Sequence, residues 1–120
     1  MRTSGLLNTS APASFITGRT ACRCVSTATK NPWFIIDFLG KLIRPTHYML
    51  RHHTTYKAGA LRNWQLQGST DGQHWNVIRD HSKDTALNHK GQSHSWELST
   101  DQFYSMFRIY MTGTNSNNSW

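Results

Sequence analysis

Apolar and polar residues alternate along much of this chain in short segments, with the period of two that is expected of β-strands. In the segment LRNWQLQGSTDGQHW, residues 61–75, Trp64 and Leu66 alternate with polar neighbours, and Trp75 follows a Ser-Thr-Asp-Gly turn. Asp can hydrogen-bond the backbone ahead of it and Gly accepts a positive φ, so this turn can reverse the chain tightly. The pattern predicts a β-hairpin over residues 62–80.

The other strands that this alternation predicts are short and are separated by turn residues. They cover residues 3–7, 20–26, 33–39, 46–52, 92–98 and 103–111. Segment 33–39, WFIIDFL, is apolar on both faces except for Asp37, which predicts a central strand with a buried carboxylate that needs a partner. Residues 53–60 show no period and are predicted to form a loop. Seven or eight short strands predict an all-β sandwich or jelly roll.

The composition fits one small domain. A chain of 120 residues can bury a core without disulfides, and the five tryptophans suit a sandwich core. The net charge of +7 comes from basic residues that form no run of three, so nucleic acid is not favoured as a partner. We assign four tryptophans to the core: Trp33, Trp64, Trp75 and Trp96.

Residues that could carry chemistry are sparse. The seven histidines and the closely spaced Cys22 and Cys24 show no zinc-site spacing, and the six acids do not cluster as calcium ligands would. No nucleophile motif or phosphate-binding loop is present, so we predict neither a metal, a cofactor nor catalysis. A disulfide between the two cysteines would be strained. Together with the lack of a signal or transmembrane run, this predicts a cytoplasmic protein.

Taken in order, the segments resemble the galactose-binding-like family, also called the discoidin or coagulation-factor C-type domain. The matching segments are NPWFIIDF, PTHYMLRH, LRNWQLQGSTDGQHW, SHSWEL and FRIYMTG. They are similar to the family's W-x-x-I-D-F strand, Pro turn, Y-x-L-R strand, N-W-x-L-x-G-S-x-D-G-x-W hairpin and F-R-x-I strand. The chain also resembles the intracellular copies found in HECT-type ubiquitin ligases and BTB-domain adaptors, with GRTACRC, residues 18–24, closest to the HECT-ligase copies.

The resemblance implies a jelly-roll β-sandwich. It covers about residues 20–113 closely and residues 3–19 loosely. We therefore expect an N-terminal edge strand and loop over residues 1–19 and a single domain over residues 20–120. Family members close with a further apolar strand, whereas this chain stops at Trp120 in the loop that should precede it. The implied sandwich lacks that closing strand, which would leave an unpaired edge.

The resemblance also implies a binding site on loops at one end of the sandwich. The family's ligand-contacting loops correspond to residues 25–33 and 51–63, and residues 114–120 should lie at the same rim. Arg51 and Arg62 have alternative roles, because either could pair with Asp37 or hold loops in place. The candidate ligand-binding residues are cationic, hydrogen-bonding or aromatic: Lys30, Arg51, His52, His53, Tyr56, Lys57, Arg62, Asn63 and Trp120.

The function expected from these residues and the resemblance is non-catalytic recognition of a protein or peptide ligand, including an acidic one. The module would be part of a larger ubiquitin-ligase or adaptor protein, and any ligase activity would lie in another domain. The alternative is a carbohydrate- or membrane-surface-binding domain like the secreted family members. Tyr56 is the only large apolar residue that the loop 53–60 offers, which makes a membrane the less favoured ligand.

Overall fold

The computed structural model describes residues 2–3, 6–9, 24–26, 30–52, 59–89 and 91–120. Every regular element within these ranges is a β-strand, which confirms the predicted all-β class. The strands are β1 (Arg2–Thr3), β2 (Leu6–Thr9), β3 (Cys24–Ser26), β4 (Trp33–Asp37), β5 (His47–Arg51), β6 (Trp64–Ser69), β7 (Asn76–His81), β8 (Ser93–Glu97) and β9 (Met106–Met111).

Five strands form one antiparallel sheet in the order β1-β4-β9-β6-β7, and β2–β3 and β5–β8 form two antiparallel pairs. The predicted hairpin over residues 62–80 is confirmed as β6 and β7. Its turn is organised by Ser69, whose Oγ accepts hydrogen bonds from the backbone N–H groups of Asp71 (3.2 Å) and Gly72 (2.9 Å). The local turn chemistry therefore determines where the hairpin reverses.

The core lies between the five-stranded sheet and the β5–β8 pair, as in a sandwich. Alternation along β6 and β9 turns every second side chain towards β5 and β8, where aromatic and aliphatic groups exclude water. Tyr48 and Leu50 of β5 pack against the buried cluster from the second layer. The cluster consists of Trp64, Leu66, Leu87, Trp96, Leu98 and Ile109.

The segment 33–39 was predicted to be a strand covered on both faces along its whole length, and the structure differs at its C-terminal end. The strand stops at Asp37, and Leu39 (φ 55°) and Gly40 (φ 83°) take left-handed conformations that extended chain does not use. A hydrogen bond from the Lys41 N–H to the Phe38 carbonyl (3.2 Å) closes the turn, and Leu39 is 88% exposed. Asp37 is only half-buried, and its Oδ1 accepts the Leu39 N–H at 2.8 Å.

The assignment of four tryptophans to the core holds for two of them. Trp64 and Trp96 are buried in the core cluster, whereas Trp33 and Trp75 are half-buried. Trp75 instead covers Arg108, a side chain on the sheet face that points away from the core. The predicted domain boundaries and the missing closing strand stay predictions. Within the described residues, β9 lies inside the large sheet, between β4 and β6.

The sandwich has two ends that carry different loops. Because the strands are antiparallel, β4 and β6 begin where β9 ends, with Trp33 opposite Tyr110 and Trp64 opposite Met111. We call this end the rim, and it carries the described loop residues 30–32, 52, 59–63, 82–92 except 90, and 112–120. The opposite end carries the loops 38–46, 70–75 and 98–105.

Candidate functional site

Arg51 and His52 leave β5 at the rim and are tied there to the loop before β8. The His52 N–H donates to the Gln92 carbonyl at 2.8 Å, and the Gln92 side-chain oxygen accepts the N–H groups of Asn88 (2.8 Å) and His89 (2.9 Å). His52 is buried, with 8% of its surface exposed, whereas Arg51 is exposed. The side chain of Arg51 is therefore accessible to a ligand, whereas that of His52 is largely enclosed.

Arg62 joins the start of β6 to the same loop. Its Nη1 donates to the carbonyls of Leu61 (3.0 Å) and Leu87 (2.7 Å), and its Nη2 donates to the Asn88 Oδ1 at 2.5 Å. Its planar fork suits several fixed acceptors at once. Of the two structural roles considered for Arg62, the structure shows that it holds a loop. Asp37 lies at the opposite end of the large sheet, where it is opposite Met106 in the strand register.

Asn63 connects three segments of the rim. Its Nδ2 donates to the Thr114 carbonyl (3.0 Å), and its Oδ1 accepts the Lys83 N–H (2.9 Å). Its backbone carbonyl accepts the Thr112 N–H at 3.1 Å. A Cβ on Gly113 would come within 2.8 Å of the Asn63 side chain, so the glycine allows this close approach. The amide of Asn63 is thus engaged within the protein.

The C-terminal segment is fastened to the rim through Ala60. The Ser116 N–H donates to the Ala60 carbonyl (2.9 Å), and the Ala60 N–H donates to the Ser116 Oγ (3.0 Å). The Asn115 Oδ1 accepts the N–H groups of Asn117 (2.8 Å) and Ser119 (3.2 Å), which turns the chain before the half-buried Trp120. The final tryptophan is therefore presented by a hydrogen-bonded turn.

Lys30 is exposed at the same end. Its neighbour Asn31 donates from Nδ2 to the Met111 carbonyl at 2.9 Å, which fixes this loop against the end of β9. Four of the described candidates thus lie on rim loops, namely Lys30, Arg62, Asn63 and Trp120, and Arg51 lies at the adjoining end of β5. Three further candidates lie outside the described residues: His53, Tyr56 and Lys57.

The described rim loops have a net positive charge, because Lys30, Arg62 and Lys83 outnumber their single acid, Asp84. The sequence has no acid in residues 25–33, 51–63 or 112–120. Asp84 lies in the loop 82–92, but its Oδ2 is 2.8 Å from the His81 Nδ1 and its Oδ1 accepts the Ala86 N–H at 2.8 Å. An uncompensated basic surface of this kind attracts acidic groups and favours their encounter.

A buried polar chain that the sequence did not reveal lies beneath the rim. The Trp64 indole N–H donates to the Tyr48 hydroxyl (3.2 Å), the hydroxyl donates to the His81 Nε2, and the His81 Nδ1 donates to Asp84. Burial raises the pKa of Tyr48 and lowers the pKa of His81. Burial also pushes the pKa of Asp84 upwards, but the hydrogen bonds from Ala86 and His81 outweigh it and leave that pKa below its ordinary value.

These protonation states are consistent with the hydrogen bonds between Trp64, Tyr48, His81 and Asp84. A neutral tyrosine, a neutral histidine and an ionised carboxylate give every hydrogen bond one donor and one acceptor. His81 is 3% exposed and is stacked on Trp64, which is not exposed at all. The arrangement therefore connects the two layers of the sandwich through buried hydrogen bonds. The sequence signal would have been His81 and Asp84, three residues apart, but Tyr48 comes from the other layer.

Two further properties of the described residues concern metal ligation and membrane insertion. Across the described ranges, no three His, Cys, Asp or Glu side chains come together as ligands of one ion would. The part of the chain that the structure describes also contains no helix of the length and apolarity needed to cross a bilayer.

Comparison with known proteins agrees with the fold. A sequence model of the F5/8 type C domain matches residues 3–120. The chain is 41% identical over 97 residues to the E3 ubiquitin-protein ligase Ufd4 of Drosophila melanogaster, and 42% identical over 96 residues to the E3 ubiquitin-protein ligase hecd-1 of Caenorhabditis elegans. Each alignment covers 78% of this chain and 4% of the ligase.

A third relative is a BTB/POZ domain-containing protein of Arabidopsis thaliana. It is 28% identical over 96 residues, which are 74% of this chain and 11% of the relative. The two ligases and the BTB/POZ protein are the kinds of relative that the sequence predicted. In all three, the aligned region is a small part of a much longer protein.

Proposed function

Because this chain belongs to the F5/8 type C domain family, we propose that it is a non-catalytic binding module that recognises an acidic protein or peptide segment through its rim. The observation that supports this most directly is the basic rim, whose described loops carry Lys30, Arg62 and Lys83 against one acid, Asp84. An acidic ligand would supply the missing counter-charges. The relatives' ligase activity would belong to other domains of a longer protein.

We divide the rim candidates into residues that contact the ligand and residues that hold the loops. The proposed contacts from the described residues are Lys30 and Arg51, which are exposed, and Trp120, which is half-buried. The proposed loop-holding residues have side chains that are buried or bonded within the protein: His52, Arg62 and Asn63.

His53, Tyr56 and Lys57, which lie outside the described residues, are proposed to add charge and an aromatic ring to this surface. Loops fixed in advance lose little entropy when a ligand binds, so the hydrogen bonds of Arg62 and Asn63 favour affinity indirectly. The proposed setting is a larger ubiquitin-ligase or adaptor protein in the cytoplasm, within which this module would select a partner.

Capture of proteins from a cell lysate on the immobilised chain tests the proposal. The test variant is the double substitution Lys30→Glu/Arg51→Glu at the rim. Lys41→Glu/Arg44→Glu at the opposite end is the matched control, because both pairs are exposed and change the net charge equally. We expect at least one protein with acidic segments that the wild type and the control retain and the rim variant loses, by about tenfold or more in dissociation constant once purified.

Two results would contradict the proposal. In the first, the control variant loses every retained protein as completely as the rim variant, which would reduce the interaction to net charge. In the second, no protein is retained, whereas a glycan array or liposome sedimentation shows saturable binding that Tyr56→Ala abolishes. That result would favour the carbohydrate- or membrane-binding alternative.

A further inference from the structure

A second cationic feature lies on a strand rather than on the rim loops, on the face of the large sheet that points away from the core. Arg108 of β9 is opposite Gln67 of β6 in the strand register, so their side chains share this outer face. The Arg108 Nε donates to the Gln67 Oε1 at 2.6 Å, and the Gln67 Nε2 donates to the Gln65 Oε1 at 2.9 Å. Gln67 is 7% exposed, so the group that orients Arg108 is itself held firmly.

Two aromatic rings lie against the guanidinium. Its central carbon lies 4.3 Å from the centroid of the Trp75 ring and 5.1 Å from that of Tyr110. Trp75 comes from the segment before β7, and Tyr110 is two residues along β9 from Arg108, on the same face. Cation–π contacts of this kind hold a guanidinium in place without using its N–H donors.

The two Nη groups of this guanidinium have N–H donors that no described residue accepts. Within the described residues, the Arg108 side chain makes one hydrogen bond, from Nε, and neither Nη makes one. No acid of residues 30–52, 59–89 or 91–120 forms an ion pair with it. Burial lowers the pKa of Arg108, an effect that Tyr110 partly opposes.

No described acid of the large sheet forms an ion pair with Arg108. Asp80 lies opposite Gln65 in the register, and Asp37 lies opposite Met106, so both are on strands of this sheet. The Asp37 Oδ1 accepts the Leu39 N–H instead. A half-buried cation that gains no counter-ion loses hydration without compensation. Such a cost is acceptable where a ligand supplies the missing charge.

We propose that Arg108 is an oxyanion-binding site on the outer sheet face, which takes a carboxylate or phosphate group between Trp75 and Tyr110. The two Nη groups form a planar edge whose parallel N–H bonds match two oxygens of such a group. Because Nε is held by Gln67 and two rings lie against the guanidinium, its motion is restricted before the ligand arrives, which lowers the entropy lost on binding. This site is separate from the rim and does not depend on the function proposed for it.

A purely structural role makes a different prediction. If Arg108 only covers Trp75 and Tyr110, small oxyanions will affect it no more than chloride does, since general screening acts equally on all exposed charges. The two roles are therefore separated by whether an oxyanion binds in a saturable way at constant ionic strength.

Nuclear magnetic resonance of the whole chain measures this directly. The reporters are the Arg108 Nε–H and the Trp75 indole N–H signals, identified by their loss in Arg108→Gln and Trp75→Phe. One titration uses N-acetyl-aspartate amide as the carboxylate, a second uses inorganic phosphate, and a third uses chloride at matched ionic strength. We expect saturable shifts of both reporters with at least one oxyanion and none with chloride, and the first two arms show which oxyanion the site prefers.

Variants decide where the oxyanion binds. Arg108→Gln should abolish the saturable shift of Trp75, and Arg108→Lys, which keeps the charge but loses the two-donor edge, should weaken binding about tenfold. Lys30→Glu/Arg51→Glu should leave the shifts unchanged, so failure of the rim proposal would not affect this result. The proposal is overturned if neither oxyanion gives a saturable shift in the wild type, or if Arg108→Gln retains it, or if the rim variant abolishes it.

Discussion

The imidazole of His81 lies flat against the indole of Trp64 in the core, with ring centroids 4.0 Å apart and planes 11° from parallel. The same imidazole accepts a hydrogen bond from Tyr48 and donates one to Asp84. Both faces of the sandwich therefore meet at one titratable ring, since Tyr48 belongs to β5 and His81 to β7. Protonation of this ring should therefore change the free energy of unfolding of the domain.

The first prediction is a loss of stability below neutral pH. Burial lowers the pKa of folded His81, against the opposing pull of Asp84, while in the unfolded chain the pKa is about 6.5. Below that pH the unfolded chain binds a proton that the folded protein disfavours. The free energy of unfolding should therefore fall as the pH drops from about 6.5 towards the folded pKa, by at most about 1.4 kcal/mol per pH unit from this group.

Urea unfolding between pH 8 and pH 5 measures this, with His81→Gln as the comparison. The variant should be less stable at pH 8, because it disrupts the hydrogen bonds and the stacking, and its stability should depend less on pH. Asp71 raises the pKa of the exposed His74, so His74 acts in the opposite sense and its contribution is lost as the pH rises. Both proteins contain His74, so the difference between them isolates His81. Equal pH dependence in both would contradict the prediction.

The second prediction concerns the turn at Leu39. Leu39 has a φ of 55°, so its backbone is strained in the left-handed region. Its side chain is 88% exposed and therefore buries little apolar surface. Asn tolerates the left-handed conformation better, so Leu39→Asn should raise the free energy of unfolding by about 0.5–1 kcal/mol. Leu39→Ala is the control, because it removes the same exposed side chain without favouring a positive φ. A less stable Asn variant than Ala variant would show that the strain is not relieved.

The third prediction tests the packing of β6 against the loop before β9. A Cβ at Gly68 would lie 2.6 Å from the ring of Tyr104, which is buried. Gly68→Ala should lower the free energy of unfolding by about 1–3 kcal/mol through overpacking. If the ring is the cause, Tyr104→Leu should be less harmful in the Gly68→Ala background than in the wild type. Strict additivity of the two substitutions would contradict this explanation.

The fourth prediction separates the two arginines of the rim. Arg62→Ala removes three hydrogen bonds and should lower the free energy of unfolding by about 1–3 kcal/mol. Arg51 is exposed, so Arg51→Ala should change stability by less than about 0.5 kcal/mol while still weakening ligand capture. Thermal unfolding and capture, measured on both variants, check the division of roles. A large stability loss in Arg51→Ala would contradict it.

The sequence predicts the parts of the fold that depend on local signals. The hairpin of β6 and β7 was predictable because the Ser-Thr-Asp-Gly turn and the alternation around Trp64 lie within one short segment. The end of β4 was not, because Leu39 is a poor residue for a left-handed turn and its apolar side chain extends the apparent strand. Trp75 was wrongly assigned to the core. Alternation alone does not show that its indole packs on Arg108, on the outer face of the sheet.

The site was predictable only as far as its segments. Family resemblance indicates the loops at one end, and the described candidates do lie on segments that hydrogen bonds connect. It cannot distinguish Arg51 from Arg62, or exposed Lys30 from buried His52, because those differences arise from contacts with residues distant in sequence. Arg62 reaches Leu87 and Asn88, and His52 reaches Gln92.

Hydrogen exchange of the chain with and without its purified captured protein tests the central claim most directly. We predict slower exchange in the described rim segments 59–63 and 112–120, and unchanged exchange in the loops 38–46 and 98–105 at the opposite end. Lys30→Glu/Arg51→Glu should remove the protection under the same conditions. Protection confined to the opposite end, with the rim unchanged, would contradict the account.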